Sequence, residues 1–551
     1  MQEYLIQQLK GTLQKLNYPS IEVQLEKPRI PEHGDVCCTI ALSLAKILNK
    51  PPREIANEIK NNLILDTLII KSVEIAGAGF INFNFANSAI INKAKNILEL
   101  NDLYGKSNIG KNKKTNLEWV SANPTGPLHS GHGRQVCLGG VIANLLEWNG
   151  FDVTREYYFN NAGNQIKLLA DSIFARYVEL CGGNIQFPEN GYQGNYINTI
   201  AEEIKIKFGS TISRDHKDEN GKLLFQSFGE KWCFQSIQET LHKLNIKHDV
   251  FYNEDSLYSS GKIDEVISLL RKKDLVYEEE GALWFRTSKL GIDKDRVIVK
   301  STGEPTYRLP DIAYHREKFE RGFEFLVDIF GADHIATIPD VIAGLEALGY
   351  DKSKVKVIIH QMVSFVEGEE VVKMSKRNAK VYTLDELIND VGVDAVFYFF
   401  IMRSANTHLE FDISLAKKQS EENPLYYVQY AHARIASILR FAEEDKYFTS
   451  PNDILQKSNF ELVKTKEEIE LMKVLLEFPT IIIQSSEMFE PHRLPTYLKS
   501  VAESFHRFYH NNRVMGEEKN TTQARLAICV MTKIVIKNCC KILNVSVPEK
   551  M

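Results

Sequence analysis

No apolar run in this chain of 551 residues is long enough to cross a bilayer, which takes about 20 consecutive apolar residues. A membrane-spanning helix is therefore not expected. The first residues, Met1-Gln2-Glu3-Tyr4, lack a basic stretch followed by an apolar one. No secretory signal is read there, and the expected location is cytoplasmic. The eight cysteines, Cys37, Cys38, Cys137, Cys181, Cys233, Cys529, Cys539 and Cys540, never form a C-x-x-C pair. No histidine stands near them at zinc-ligand spacing, so they read as small thiols in a reducing compartment and no metal site is expected. An excess of positive charge is lacking too: 67 Lys and Arg face 72 Asp and Glu. A large RNA would have to be held by local patches such as Lys111-Asn112-Lys113-Lys114 or Lys352, Lys354 and Lys356. The same lysines also read as a plain solvated surface. Internal repeats and low-complexity tracts are missing.

The chain is too long for one hydrophobic core, and about three domains are expected. Residues 1–108 read as a small mixed domain. Thr39 to Leu48 is helix-like and stops at Asn49-Lys50-Pro51-Pro52, and a second helix follows near Arg53 to Leu63. Residues 73–85 alternate in polarity around Gly77 and Gly79, which predicts two strands. Lys106 to Thr115 is a polar linker. Residues 109–403 alternate apolar runs (Asn116 to Val120, Phe325 to Phe330, Val355 to Ile359) with helical stretches such as Ile338 to Leu348. That alternation predicts a doubly wound, Rossmann-like parallel sheet. Within it, 165–235 is more polar and irregular and reads as an insertion. Residues 404–551 repeat apolar positions every three or four residues, clearest at Leu425 to Phe441, Glu467 to Phe478, Tyr497 to His510 and Thr522 to Leu543, and predict a helical bundle. The fold class is thus multidomain α/β with a helical C-terminal third.

The most informative segment runs from Glu118 to Arg134. A strand feeds the loop Pro127-Leu128-His129-Ser130-Gly131-His132, which feeds a helix N-terminus. Free backbone N–H groups and the helix dipole there favour phosphate. Gly131 and Gly133 allow close approach of a ligand, and His129 and His132 can donate hydrogen bonds to phosphate oxygens as charge develops. About 240 residues later stands Lys373-Met374-Ser375-Lys376-Arg377, whose lysines are mobile point charges suited to a departing pyrophosphate. Alone, the first pattern is weak and the second reads as a basic surface turn. In this order, within an α/β pattern, they reinforce each other.

His129-Ser130-Gly131-His132 and Lys373-Met374-Ser375-Lys376-Arg377 resemble the two signatures of class I aminoacyl-tRNA synthetases. The segments Ser121-Ala122-Asn123-Pro124-Thr125-Gly126-Pro127-Leu128-His129, Asn160-Asn161-Ala162-Gly163-Asn164-Gln165-Ile166, Gly191-Tyr192-Gln193-Gly194-Asn195-Tyr196, Asp295-Arg296-Val297, Tyr307-Arg308-Leu309-Pro310-Asp311-Ile312-Ala313-Tyr314-His315 and Tyr430-Ala431-His432-Ala433-Arg434-Ile435 resemble the arginine-specific members. The likeness covers essentially the whole chain. It implies an arginine–tRNA ligase with ATP and Mg²⁺, partners L-arginine, ATP and tRNA(Arg), no membrane, and a monomer. It implies His129, His132, Lys373 and Lys376 in catalysis, joined by Pro127, Gly131, Met374 and Ser375 around ATP. It places Glu118, Ser121, Asn123, Tyr307 and Asp311 at the arginine: Asp311 and Glu118 on the guanidinium, Tyr307 beside it, Asn123 and Ser121 on the α-amino and carboxylate groups. It gives the N-terminal domain the tRNA elbow and the bundle the anticodon region, with Tyr430, His432, Arg434, Tyr509, Asn512 and Arg513 as contacts. Two departures stand out. His334 lies near a position where some relatives carry glutamine, and Lys376 is present where many arginine enzymes lack it. A synthetase for another amino acid, a non-catalytic tRNA-binding relative and a small-molecule nucleotidyltransferase are the competing readings.

Overall fold

The computed structural model describes residues 1–28, 30–161, 163–368, 370–371, 382–448 and 451–551. Lys373, Met374, Ser375, Lys376 and Arg377 lie outside the described residues.

The N-terminal region is a helix, Gln2–Lys15, followed by a four-stranded antiparallel sheet and two helices, Ile40–Leu48 and Pro52–Asn62. The helix boundaries follow the stop signals: Asn49 takes the left-handed conformation at the C-cap of the first, and Pro52 opens the second. Strands Ile70–Ala76 and Phe80–Phe85 pair across the glycine turn, as the alternation predicts. Gly79 has a reason to be glycine, since a Cβ there would meet the Pro52 backbone at 2.8 Å.

The central sheet has five parallel strands. Lys114–Glu118 lies in the middle, flanked by Asp152–Phe159 and Phe325–Gly331, with Val250–Asn253 and Val355–His360 at the edges. The chain fills one half first and then crosses back to fill the other. The winding direction therefore reverses beside Lys114–Glu118, and ligands bind at the C-terminal strand ends of such a reversal. Successive residues of the central strand face opposite sides. Leu117 joins the core shared with the helix Gly133–Trp148, whereas Glu118 meets Lys318 of the helix Arg308–Glu320.

The polar insertion is more ordered than its composition suggests. Helices Gly163–Leu180, Asn195–Phe208 and Leu224–Lys243 pack around Leu169, Ile173, Ile197, Ile200 and Phe225. The Gly-, Pro- and Asn-rich connections between them dilute the apolar period when the stretch is read as one window.

The C-terminal bundle contains helices Pro424–Glu444, Lys466–Leu476, Phe478–Met488, Arg493–Asn511 and Lys519–Leu543. Asn423 caps the first through Leu425 and Tyr426 N–H, and Thr465 with Glu468 forms a capping box on the second. The bundle is tied to the end of the first region. Asn538 Nδ2 donates to the carbonyls of Asn101 (2.9 Å) and Tyr104 (3.1 Å). No described helix is long and apolar enough to cross a membrane. All eight cysteines are unpaired, and seven are buried.

Candidate active site

The backbone turns sharply after Glu118. Val120 and Ser121 have φ of +70° and +45°, a region that a β-branched valine rarely enters and that clusters at functional sites. The turn sends Ser121 Oγ back to Glu118 Oε1 at 3.0 Å, where it also accepts from the Tyr158 N–H at 3.2 Å. Asn123 is fixed at both ends of its amide. Its Oδ1 accepts from Asn160 N–H (3.0 Å) and its Nδ2 donates to Gln165 Oε1 (2.9 Å). Tyr196, reaching over from the insertion, donates to the Thr125 carbonyl at 2.8 Å. Its hydroxyl would lie 2.8 Å from a Cβ on Gly126, which explains that glycine. Pro127 and Gly131 are partly buried on the loop.

His129 is exposed and His132 partly buried, with ring centroids 3.6 Å apart. The His129 backbone N–H donates to His132 Nδ1 at 3.2 Å, which leaves the proton of the neutral ring on Nε2. Burial first, then His129 and His360, push the His132 pKa down to about 3. At neutral pH it is a fixed neutral donor. Backbone bonds tie this loop to the chain just beyond the second signature: Ser130 N–H to Tyr382 O at 2.9 Å and Leu384 N–H to Leu128 O at 2.8 Å. Arg134 is fully buried and donates to the carbonyls of Gln361, Thr407 and Ser404, each at 2.8 Å. His334 is half exposed and stacks on Phe330 at 5.0 Å.

Beside the end of the central strand three carboxylates stand in register on adjacent strands, Glu156, Glu118 and Asp328. Such a row needs counter-charge to stay ionised. The helix Arg308–Glu320 supplies it along one face, where Asp311, Tyr314, His315 and Lys318 recur at helical spacing. Lys318 is fully buried, with Nζ 2.6 Å from Glu118 Oε2 and 2.7 Å from Asp328 Oδ1. His315 sets Nδ1 2.7 Å from the Asp311 carbonyl and Nε2 3.1 Å from Asp328 Oδ2. Both partners are acceptors, so the ring carries two protons. Burial opposes that charge, but Asp328 outweighs it and the His315 pKa is raised. Burial alone would raise Asp328, yet Lys318 and His315 hold it well below the usual carboxylate range. Arg321 forks onto both oxygens of Glu156 at 2.7 Å each.

Asp311 is the exception. No described group donates a hydrogen bond to its carboxylate. Burial foremost, with Glu118 and Glu254 adding repulsion, raises its pKa to about 7 against the pull of His315 and Lys318. Glu254, just beyond the strand Val250–Asn253, is buried and held by Tyr158 Oη and Asn160 Nδ2 at 2.8 Å each. Tyr314 packs between Tyr158 and Tyr252, with centroids 4.4 and 4.8 Å away. Unpaired carboxylate, second carboxylate and aromatic walls together suit a planar cation such as a guanidinium. Protonated Asp311 must lose its proton to take such a cation. Arginine affinity is therefore expected to fall roughly tenfold per unit as pH drops below 7. Titrating arginine binding from pH 5 to 8 checks this, and a flat profile would exclude Asp311 as the receptor.

The expected residues thus meet unevenly. Ser121 bonds Glu118, Asp311 lies close enough to Glu118 and Glu254 to feel their charge, and Asn123 connects through Asn160 to Glu254. Both Glu118 oxygens are already engaged, by Lys318 and Ser121. Tyr307 lies one turn before Asp311 on the same helix start, but its side chain is 80% exposed. Sequence reasoning passed over Glu254, Tyr158, Lys318 and Asp328, and gave His315 no role although it ends the motif that starts at Tyr307. Glu254 carried one signal, an acid two residues after the short apolar run Val250-Phe251-Tyr252. Asn160 lay within a quoted motif but was given no role.

In the bundle, Arg434 lies between Tyr430 and Tyr509, 4.7 and 5.0 Å from their centroids. With Tyr427, His506 and His510 it lines an open cavity of about 470 Å³. His432, expected to contact RNA, is instead fully buried with Nδ1 3.0 Å from the Pro548 carbonyl, so it anchors the C-terminal tail. Asn512 is likewise buried, its Nδ2 donating to Phe508 O at 3.1 Å. Arg513 is exposed.

Comparison with known proteins places these features. Residues 93–398 match tRNA synthetases class I (R), catalytic domain; 3–85 match the arginyl tRNA synthetase N terminal domain, and 428–551 the DALR anticodon binding domain. The arginine–tRNA ligase of Salinibacter ruber is 44% identical over 572 aligned residues covering 100% of both chains. That of Desulfotalea psychrophila is 46% identical over 96% of this chain and 94% of its own. The Thermus thermophilus arginyl-tRNA synthetase structure, 21% identical, superposes over 100% of both chains with a TM-score of 0.73, which supports the fold. A sheet of this topology, three matching family models along the chain and relatives 44% and 46% identical over nearly all of it put the chain in the arginyl-tRNA synthetase family of class I.

Proposed function

We infer that the chain is an arginine–tRNA ligase (EC 6.1.1.19). The observation that carries this reading is the unpaired Asp311 carboxylate close to Glu118, which ends the strand that runs on into the His129–His132 loop. One oxygen of the arginine carboxylate attacks the α-phosphorus of ATP, the bond to the bridging oxygen breaks, and pyrophosphate leaves. The 2′-hydroxyl of the terminal ribose of tRNA(Arg) then attacks the arginyl carbonyl and AMP leaves. No protein nucleophile is required; catalysis is positioning and charge stabilisation.

His129 and His132 face the phosphates with Lys373 and Lys376, and Pro127, Gly131, Met374 and Ser375 complete the ATP site. Asp311 and Glu254 receive the guanidinium, Asn123 and Ser121 orient the α-amino and carboxylate groups, and Tyr307 closes over the entrance. Mg²⁺ travels with the triphosphate. Among the described residues no group of three or more His, Cys, Asp or Glu stands close enough to hold a metal ion, and magnesium on nucleotides keeps mainly phosphate and water ligands. Residues 1–108 contact the tRNA elbow, 109–403 carry the chemistry, and 404–551 read the anticodon region through Tyr430, Arg434, Tyr509 and Arg513, whose rings and guanidinium planes suit unpaired bases. The chain works as a cytoplasmic monomer.

Aminoacylation of total tRNA, with each amino acid in turn, ATP and Mg²⁺, tests the reading. Charging with arginine alone is expected. Charging with another amino acid would keep the two-step chemistry and discard the pocket; tRNA binding without charging would favour a non-catalytic relative.

A further inference from the structure

We propose that Lys318 is a positioning residue that sets the charge of the arginine pocket: by neutralising Glu118 and Asp328 it leaves Asp311 as the carboxylate offered to the guanidinium. The proposal rests on the reading of Asp311 as the guanidinium receptor. Lys318 follows Asp311 by seven residues, about two turns along the same face of the helix Arg308–Glu320. Its ammonium bridges the two carboxylates at 2.6 and 2.7 Å, and its own solvent exposure is nil. With protonated His315 it gives two cations against two carboxylates, and the buried set of Glu118, Asp328, His315 and Lys318 is neutral. The Tyr314 ring lies 4.4 Å from the ammonium and supports the charge from the side.

This assigns Glu118 a different task from a guanidinium ligand. Its Oε2 belongs to Lys318 and its Oε1 accepts from Ser121, which itself is held by the Tyr158 N–H. Glu118 thereby anchors the strained turn at Val120 and Ser121, and its negative charge is spent inside the protein. The groups that face Asp311 are His315 and Lys318 from its own helix, Glu118 from the central strand, and Glu254 from beyond Val250–Asn253. Tyr158 and Tyr258, both beside Glu254, lie close enough to feel the Asp311 charge. Removing Lys318 would expose Asp311 to the full charge of Glu118 and make its ionisation harder. Removing the Glu118 charge would do the opposite.

The test uses the full chain and three variants, Lys318→Met, Glu118→Gln and the double variant, with Asp311→Asn as control. Arginine binding is titrated calorimetrically from pH 5.5 to 9, and kcat and KM for aminoacylation are measured across the same range. Lys318→Met is expected to move the midpoint of the binding profile up by about one pH unit, a roughly tenfold weaker affinity at pH 6. The loss should vanish at pH 9, with KM affected more than kcat. Glu118→Gln is expected to move the midpoint down, and the double variant to bring it back toward wild type. Because the double variant removes both charges together, it keeps the readout available if Lys318→Met alone does not fold. A midpoint that stays put in the double variant and in any folded Lys318→Met protein, with Glu118→Gln losing affinity equally at every pH, would overturn the proposal and return Glu118 to the guanidinium. Wild-type arginine affinity in Asp311→Asn would instead remove the reading on which the proposal rests.

Discussion

Replacing Asp311 with asparagine is expected to raise the arginine KM by roughly a hundredfold, within the 2–5 kcal/mol typical of truncating one partner of a desolvated charge pair. The change is nearly isosteric, so the helix Arg308–Glu320 keeps its packing. What is lost is the charge that a guanidinium needs at a site already crowded by Glu118 and Glu254. kcat at saturating arginine should change much less, because the guanidinium is remote from the reacting carboxylate and contributes the same binding before and during the reaction. The variant should also lose the weakening of arginine affinity below pH 7, since the group responsible no longer titrates. The same pocket is expected to discriminate against lysine without a separate editing step. Lysine lacks the planar fork, and a carboxylate built to be bidentate is left with unpaired lone pairs when lysine enters. Steady-state aminoacylation at pH 6 and pH 8 measures all of this, and a KM equal to wild type would remove Asp311 from the pocket.

His132→Ala should slow adenylate formation by about 100- to 1,000-fold, the usual cost of one donor aimed at developing charge, with arginine affinity within a few-fold of wild type. The ring is set for that role before any ligand arrives. The His129 backbone N–H occupies Nδ1, so the Nε2 proton is the one available. Because its pKa is depressed to about 3, the ring stays neutral above that value. The wild-type rate should therefore show no limb from His132 between pH 5 and 9. Arginine-dependent ATP–pyrophosphate exchange in the presence of tRNA reads the step directly. An unchanged turnover would sink the assignment.

The sequence made helices and strands legible wherever a single period dominated. The bundle helices and Ile338–Leu348 fall where three- and four-residue spacing put them, and the central strand is shifted by two residues from its apolar run, to Lys114–Glu118. The insertion was misjudged because its connections broke the period. The site was legible in proportion to how much of it is contiguous. His129 to His132 lie within four residues, so strand, loop and helix start could be read together. The arginine side is assembled from Glu118, Glu254, His315, Lys318 and Asp328, on four separate elements. Nothing local marks Lys318 as buried, since a lysine in a helix ordinarily faces water. His432 was read from its motif as an RNA contact. Only the path of the C-terminal tail, which brings the Pro548 carbonyl to its ring, reveals the other role.

Arg134 has a consequence for the order in which the protein is made. Its guanidinium is satisfied by three carbonyls, one of which, on Ser404, is synthesised 270 residues later. At about 5–20 residues per second on the ribosome, that gap lasts roughly 14 to 54 seconds. Until then Arg134 lacks at least two of its three carbonyl partners, and for most of that time the bonds from Ser130 and Leu128 to Tyr382 and Leu384 are unmade. The helix Gly133–Trp148 cannot settle into its final burial until then. The loop from Leu128 to Arg134 is therefore among the last parts of the central region to form during translation, although its own sequence is translated well before its partners.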